Sequence, residues 1–180
     1  MCIRDRLAGL YGWDHYLDDS EVATVLSSIK VGEPDHFDRQ LCAAVCNETD
    51  GWVSVNKRCV KAYTSPRLDW NSAKLACFEQ NAQLVVPQND FDHAQLTTLF
   101  AYNKWIGVHD QDVEGTWVTS TGNIVTYTNW CATGAMFAEP NNGNGAGEHC
   151  ARMENSDYNG CWNDISCGSK LQYICEKPGM

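Results

Sequence analysis

The sequence has few basic residues and no long apolar run. Its 180 residues include 13 Lys and Arg against 23 Asp and Glu, which gives a formal net charge of −10 at pH 7. An acidic protein is repelled by phosphate backbones and anionic headgroups, so nucleic acid and anionic membranes are disfavoured as partners. No segment approaches the roughly 18 uninterrupted apolar residues of a membrane span, and no apolar run near Met1 is typical of a signal peptide. The sequence therefore predicts neither nucleic-acid binding nor membrane insertion.

The sequence also lacks the common catalytic motifs. It contains no Gly-x-Ser-x-Gly elbow, no His-Glu-x-x-His pair and no phosphate-binding loop. The carboxylates of Glu139 and Glu148 are a pair that could serve a glycosidase as acid and nucleophile. They fall in a segment rich in Gly and Asn, however, where a rigid cleft is not expected. The sequence is therefore not interpreted as that of an enzyme.

Cysteine and tryptophan are abundant, with 10 Cys and 7 Trp. This cysteine content is too high for a reducing cytosol, and no pair of Cys-x-x-Cys motifs indicates a zinc knuckle. Asn47-Glu48-Thr49 is a glycosylation sequon, which agrees with export. The composition predicts a secreted or extracellular, disulfide-bonded glycoprotein. Ten cysteines allow roughly 945 pairings, so their spacing does not select one.

The chain divides near residue 45. Residues 1–45 contain two cysteines, Cys2 and Cys42, together with a strand-like segment at Trp13–Leu17 and one amphipathic helix that begins after Asp18. One strand and one helix cannot bury both of their faces, so this region is interpreted as a remnant or linker of an upstream domain. It faintly resembles the last strand and helix of a von Willebrand factor A domain. Neither the first six residues nor Cys42, which has no evident partner, supports any conclusion.

Residues 46–177 alternate between strand and helix patterns. Strands are predicted at 53–55 and 60–63, and later at 105–108, 115–119, 150–153 and 171–176. Between them, two helices are predicted. Asp69 caps the first, whose apolar residues are Trp70, Ala73, Leu75, Ala76 and Phe78, and Asn89 or Asp90 caps the second, with Phe91, Ala94, Leu99 and Phe100 on one side. This order predicts an α+β domain.

The segment from Trp130 to Cys150 is a long stretch rich in Gly and Asn. A structureless loop of about 20 residues is uncommon in a compact domain unless disulfides or a metal hold it. Oxygen donors of the kind that Ca²⁺ prefers lie in and after this segment, at Glu139, Asn141, Glu148, Asn163 and Asp164. The alternative is that these polar residues form a solvated loop without a ligand.

Four short motifs then identify a family. They are Trp105-Ile106-Gly107, Glu139-Pro140-Asn141, Glu148-His149-Cys150 and Trp162-Asn163-Asp164, and they are accompanied in order by Cys77, Cys150, Cys167 and Cys175. With this combination, Cys46 to Lys177 resembles a C-type lectin domain over its whole length. The resemblance implies an α+β fold with two helices, two small antiparallel sheets and a long calcium-binding loop region.

The resemblance also implies the disulfides. In the family pattern Cys77 pairs with Cys175, Cys150 pairs with Cys167, and Cys46 and Cys59 match the extra hairpin bond of the longer form of the domain. Cys131 and Cys161, the remaining cysteines of the loop region, are assigned to each other as a local addition.

The resemblance further implies a calcium ion that binds sugar. Its ligands would be Glu139, Asn141, Glu148, Asn163 and Asp164, with a cis peptide before Pro140. Two adjacent sugar hydroxyls would complete the coordination and form hydrogen bonds with Glu139, Asn141, Glu148 and Asn163. The order Glu-Pro-Asn resembles the branch that binds mannose, fucose, glucose and N-acetylglucosamine through equatorial 3- and 4-hydroxyls. The alternative is a protein-interaction module of the same fold without sugar binding, for which degenerate ligands are expected.

The resemblance also implies a second calcium site. Its ligands would be Asp110, Glu114, Asn142 and Glu148. The family usually has an acid at the position of His149, and the loss of a carboxylate weakens a site whose affinity depends on ligand charge.

Overall fold

The computed structural model describes residues 46–101, 103–132, 138–143, 147–155 and 158–179. The predictions for residues 1–45, including the upstream remnant, lie outside these residues, so the boundary at residue 45 stays a prediction. The described residues belong to two compact units, with residues 46–59 and 178–179 in one and residues 60–177 in the other.

The smaller unit contains the glycosylation sequon. A single 3-10 turn spans Glu48–Asp50, a strand β1 spans Val53–Val55, and a disulfide joins Cys46 to Cys59. The Asn47 side chain is exposed, and the Thr49 hydroxyl donates to its Oδ1 at 2.6 Å.

Helix α1 spans Trp70–Phe78 and begins at the predicted cap. The Asp69 carboxylate accepts from the backbone N–H of Ser72 at 2.9 Å, and it also pairs with Lys170. The hydrogen bond from Lys170, together with that from Ser72, lowers the pKa of Asp69 to about 2. The indole of Trp70 is buried and donates to the carbonyl of Ile106 at 2.8 Å, which fixes the helix to the sheet.

Helix α2 spans Asp90–Leu99, and Asn89 caps it by accepting from the N–H of Asp92 at 2.9 Å. The apolar residues that indicated this helix do not form its buried face, because Phe91 is 67% exposed and Leu99 is 49% exposed. Its buried residues are Asp92, His93 and Leu96.

A mixed sheet forms most of the larger unit. Its strands are β2 (Arg58–Leu68), β3 (Gln83–Leu84), β4 (Lys104–His109), β5 (Val118–Thr119), β6 (Cys150–Met153), β7 (Trp162–Ile165) and β8 (Leu171–Pro178). The neighbour order is β2-β8-β4-β6-β7, with β3 beside β8 and β5 beside β4. Sequence patterns did not predict β3 and β7. The two antiparallel groups expected from the resemblance are joined, because β4 and β8 pair in parallel.

Strand β4 is the centre of the core, and all six of its residues are buried. Gly107 allows the close approach of a neighbouring strand, since a Cβ at this position would lie 2.6 Å from the carbonyl oxygen of Leu84. The indole of Trp105 donates to the carbonyl of Leu68 at 2.8 Å. These contacts confirm the α+β fold with its two helices.

Three disulfides lie within the larger unit. They join Cys77 to Cys175, Cys131 to Cys161 and Cys150 to Cys167, and with Cys46–Cys59 they make the same four pairs that the sequence analysis expects. Among the described residues, no helix is both long and apolar enough to cross a membrane.

Candidate metal and ligand site

Strand pairing places the predicted site residues at one end of the sheet. His109 on β4 lies opposite Cys150 on β6, so the residues that adjoin them, Asp110 and His149, are side by side. The N–H of Asp110 donates to the carbonyl of His149 at 3.1 Å. Strand β7 continues the site, because its Asp164 lies opposite Ala151 of β6.

The segment that carries Glu139 is attached to β7 through Cys131. The N–H of Cys131 donates to the carbonyl of Trp162 at 2.9 Å, and the N–H of Glu139 donates to the carbonyl of Cys131 at 2.9 Å. The Cys131–Cys161 disulfide reinforces this attachment covalently. The peptide bond between Glu139 and Pro140 is cis, as the resemblance implies.

Asp164 organises the backbone that follows Pro140. Its carboxylate is buried, with 1% of the residue exposed, and it accepts from the N–H groups of Asn141 at 3.0 Å and Asn142 at 2.8 Å. These two hydrogen bonds bring Glu139, Asn141 and Asp164 into one group although they come from a loop and a strand.

The carboxylate of Glu139 is the most strongly perturbed acid of the site. Burial, followed by contact with Asp164 and the nearby charges of Glu148 and Glu154, raises the pKa of Glu139 to about 7. Its Oε2 atom is buried and accepts no hydrogen bond from any residue in the described part of the chain. A carboxylate that lacks a donor and lies among other acids is stabilised by a cation. The residues present therefore fit a calcium ion, which Glu139, Asn141, Glu148, Asn163 and Asp164 would hold.

The backbone around Glu148 folds back on its own side chain. Its Oε2 accepts from the N–H of Gly143 at 2.8 Å, and its N–H donates to the Oδ1 of Asn142 at 2.9 Å. A Cβ at position 143 would meet the Glu148 carboxylate, so that a larger residue here would displace the Glu148 side chain.

Glu154 is a site residue that the sequence reasoning missed. It is 8% exposed, pairs with Arg152 at 2.6 Å, and accepts from the Nδ2 of Asn163 at 3.1 Å. Because Asn163 donates through its amide nitrogen, its Oδ1 remains available to a cation. The opposite charges of Arg152 on β6 and Glu154 just after it, two residues apart, are the signal that could have indicated this role.

The second predicted set is brought together only in part. His149 Nδ1 lies 3.1 Å from Asp110 Oδ1 and 3.3 Å from Glu114 Oε2, and Asn142 Nδ2 donates to Glu114 Oε2 at 2.8 Å. Among the described residues, the ligating atoms of Asp110, Glu114 and His149 lie within 4.8 Å of one another, and Glu148 is not in this group. Sequence reasoning had not assigned His149 a ligand role.

Comparison with known proteins agrees with this architecture. Residues 66–177 match the family model described as the lectin C-type domain. Tetranectin of Mus musculus is 32% identical over 130 residues, which cover 69% of this chain and 61% of tetranectin. The chain therefore spans less than two thirds of the length of that relative.

Two solved structures show the same fold. The C-type carbohydrate-recognition domain of cow CD23, solved in the presence of a GlcNAc2Man3 oligosaccharide, has a TM-score of 0.65 and 29% identity, with 76% of this chain and 98% of that chain covered. A calcium-independent type II antifreeze protein has a TM-score of 0.66 and 25% identity, with 77% and 98% covered.

Proposed function

This chain belongs to the C-type lectin domain family, and on that premise we propose that it is a calcium-dependent carbohydrate-binding protein and not an enzyme. The observation that supports the proposal is the half-buried carboxylate of Glu139, whose buried Oε2 has no hydrogen-bond partner among the described residues and whose charge lies near those of Asp164, Glu148 and Glu154. Mutual repulsion of these acids is relieved when a cation binds among them.

Calcium is the ion that this donor set favours. Glu139, Glu148 and Asp164 supply carboxylate oxygens, while Asn141 and Asn163 supply amide oxygens. Calcium accepts roughly six to eight oxygen ligands, so five protein residues leave room for two hydroxyls of a ligand.

The proposed ligand is a glycan with adjacent equatorial 3- and 4-hydroxyls, as in mannose. Each hydroxyl that coordinates calcium can donate to Glu139 or Glu148 and accept from the amide group of Asn141 or Asn163. The Glu-Pro-Asn order supports this choice of sugar over galactose. The oligosaccharide present with cow CD23 also supports it by similarity.

A glycan array with and without a calcium chelator tests the proposal. Wild-type protein is expected to retain mannose, fucose and N-acetylglucosamine glycans with calcium and to release them with chelator. Asp164→Asn should lose this binding, because it removes a buried ligand that also positions Asn141, whereas Asp112→Asn, a change at an exposed acid, should not. Calcium-dependent binding that survives Asp164→Asn, or the absence of glycan binding with calcium, would reject the proposal.

A second candidate is a protein-interaction module of the same fold. The similarity to a calcium-independent antifreeze protein favours it, because that protein uses this fold without calcium. It predicts that a partner protein binds equally well with and without chelator and that glycans are not retained.

We also infer that the protein is secreted, glycosylated at Asn47 and part of a longer, multidomain chain. The disulfides, the exposed Asn47 and the 61% coverage of tetranectin support these inferences. Protein expressed in a secretory host should reach the medium with a glycan that peptide N-glycosidase removes, and Thr49→Ala should abolish that glycan. The recovery of unglycosylated wild-type protein would contradict the assignment of Asn47.

A further inference from the structure

Three side chains from different segments meet beside the proposed calcium site. Asp110 follows β4, Glu114 lies in the next turn, and His149 precedes β6. The imidazole Nδ1 of His149 lies 3.1 Å from Asp110 Oδ1 and 3.3 Å from Glu114 Oε2. Two ligands on one tetrahedral zinc ion, each bonded at about 2.0–2.1 Å, are about 3.3 Å apart. The two distances from His149 Nδ1 therefore match ligands arranged around a single small ion, and the ligating atoms of all three residues lie within 4.8 Å of one another.

The neighbouring amide does not offer its oxygen to this cluster. The Oδ1 of Asn142 accepts from the N–H of Glu148 at 2.9 Å, so its Nδ2 is the atom that faces Glu114. The carboxylate of Glu148 accepts from the N–H of Gly143. Of the four oxygen ligands implied for a second calcium ion, that of Asn142 is thus turned towards the N–H of Glu148, and the imidazole of His149 lies where an acid was expected.

We propose that Asp110, Glu114 and His149 form a binding site for a zinc-type divalent transition-metal ion, and not for calcium. Imidazole nitrogen is a favoured ligand of zinc, copper and nickel, whereas calcium requires more ligands, all of them oxygen. Three protein ligands and one water complete a tetrahedral zinc site.

One ligand of this cluster is held in a fixed orientation, and the other two are accessible to solvent. The side chain of Asp110 is 0% exposed, and its second oxygen accepts from the N–H of Gly115 at 2.7 Å, so its orientation is fixed. The side chains of His149 and Glu114 are 33% and 56% exposed, so an ion can enter from solvent. This proposal does not depend on sugar binding, which uses a different set of ligands.

Titration calorimetry with zinc chloride, in excess calcium that fills the proposed sugar site, tests the assignment on the full chain. Wild-type protein is expected to bind zinc at this site, and His149→Gln should weaken that binding at least tenfold because the nitrogen ligand is lost. Glu114→Gln, at a largely exposed side chain, should weaken it as well, whereas Asp112→Asn should leave it unchanged. Wild-type zinc affinity in either ligand variant would overturn the proposal.

His149→Asp provides the opposite test. With the acid restored, zinc binding should weaken at least tenfold while a second calcium ion becomes detectable. Near-ultraviolet circular dichroism and calcium-dependent mannose binding should match wild type in all variants, so loss of zinc is separable from loss of the fold or of the lectin site. If His149→Asp bound zinc as tightly as wild type, or if millimolar calcium displaced zinc from wild type, the assignment would be wrong.

Discussion

Glu139 and Asn141 offer different hydrogen-bonding groups on either side of Pro140. The carboxylate can only accept when it is ionised, whereas the amide can also donate. A sugar hydroxyl that binds a metal beside one of these groups must donate to the carboxylate or accept from the amide. A buried polar group without such a partner costs about 1–3 kcal/mol. In the proposed site, sugar selectivity is therefore expected to depend on which of the two residues carries the charge.

Exchanging the two groups should exchange the selectivity. The double variant Glu139→Gln with Asn141→Asp keeps the total charge and all oxygen ligands, so calcium should still bind. The free energy of mannose binding should become less favourable by about 1–3 kcal/mol, as measured by calorimetry in saturating calcium. As a control, Asn47→Gln should leave mannose affinity unchanged. If wild-type protein bound galactose as tightly as mannose, the donor and acceptor argument would not hold.

The titration of Glu139 should make calcium binding depend on pH. Burial beside Asp164 raises the pKa of Glu139 to about 7 without calcium. Because protons and calcium compete for the carboxylate, calcium affinity should fall about tenfold for each pH unit below that pKa. Calorimetry between pH 8 and pH 5.5 measures this slope, and pH-independent affinity in that range would contradict the role of Glu139.

The same titration should change the stability of the calcium-free protein in the opposite direction to calcium affinity. The folded-state pKa of about 7 exceeds the ordinary value of 4.5, so the unfolded chain binds fewer protons between these values. Stability without calcium should therefore decrease as pH rises through this window. Saturating calcium should remove that decrease, and so should Glu139→Gln.

At the scale of elements, helix α1 depends on its cap. Asp69 accepts the N–H of Ser72 and pairs with Lys170. Asp69→Ala should lower the free energy of unfolding by about 1 kcal/mol, the usual cost of losing an N-cap, whereas Asp69→Asn should retain most of it. Urea unfolding under non-reducing conditions compares the two. Equal losses in Asp69→Ala and Asp69→Asn would show that charge, and not capping, is responsible.

The contribution of Asp69 to stability should also depend on pH. Because the pKa of Asp69 is lowered to about 2 in the folded protein, its contribution is present above the unfolded value of 3.8 and is lost as pH falls towards 2.

The loop between Trp130 and Glu148 should depend on calcium for its order. Its attachments include the Cys131–Cys161 disulfide and the hydrogen bonds to Asp164. Removal of calcium leaves Glu139, Glu148 and Asp164 to repel one another, so this loop should become accessible to proteases while the core stays intact. Limited proteolysis with and without calcium, with cleavage sites mapped by mass spectrometry, measures the difference. Equal cleavage under both conditions would contradict this expectation.

At the scale of the whole molecule, the Cys77–Cys175 disulfide is expected to contribute most to stability. It joins residues 98 positions apart, whereas Cys46–Cys59 spans 13 positions. Loop-closure entropy predicts a loss of about 4–5 kcal/mol when the long-range bridge is removed and about 3 kcal/mol for the short one. Urea unfolding of the two double-alanine variants compares these losses. A larger loss in the Cys46 and Cys59 variant would contradict the entropic account.

The sequence by itself determined the features that depend on residue type and spacing. Asp69 predicted the start of α1, and Asn89 was one of two candidates for the start of α2, because a short polar side chain satisfies the first free N–H groups of a helix locally. The family motifs predicted the α+β fold and named the oxygen donors. The apolar residues of α2 did not predict its buried face. That face includes His93, whose Nε2 lies 2.8 Å from the carbonyl oxygen of Gly160.

Only the tertiary structure decided how those donors are arranged. Asp110 meets His149 because β4 pairs with β6, and Asn142 turns its nitrogen towards Glu114 because its oxygen accepts the N–H of Glu148. Glu139 becomes the most perturbed acid of the site because burial and three other carboxylates act on it together. Residue types fix which ligand atoms exist, but their direction and charge depend on contacts between residues that are far apart in the chain.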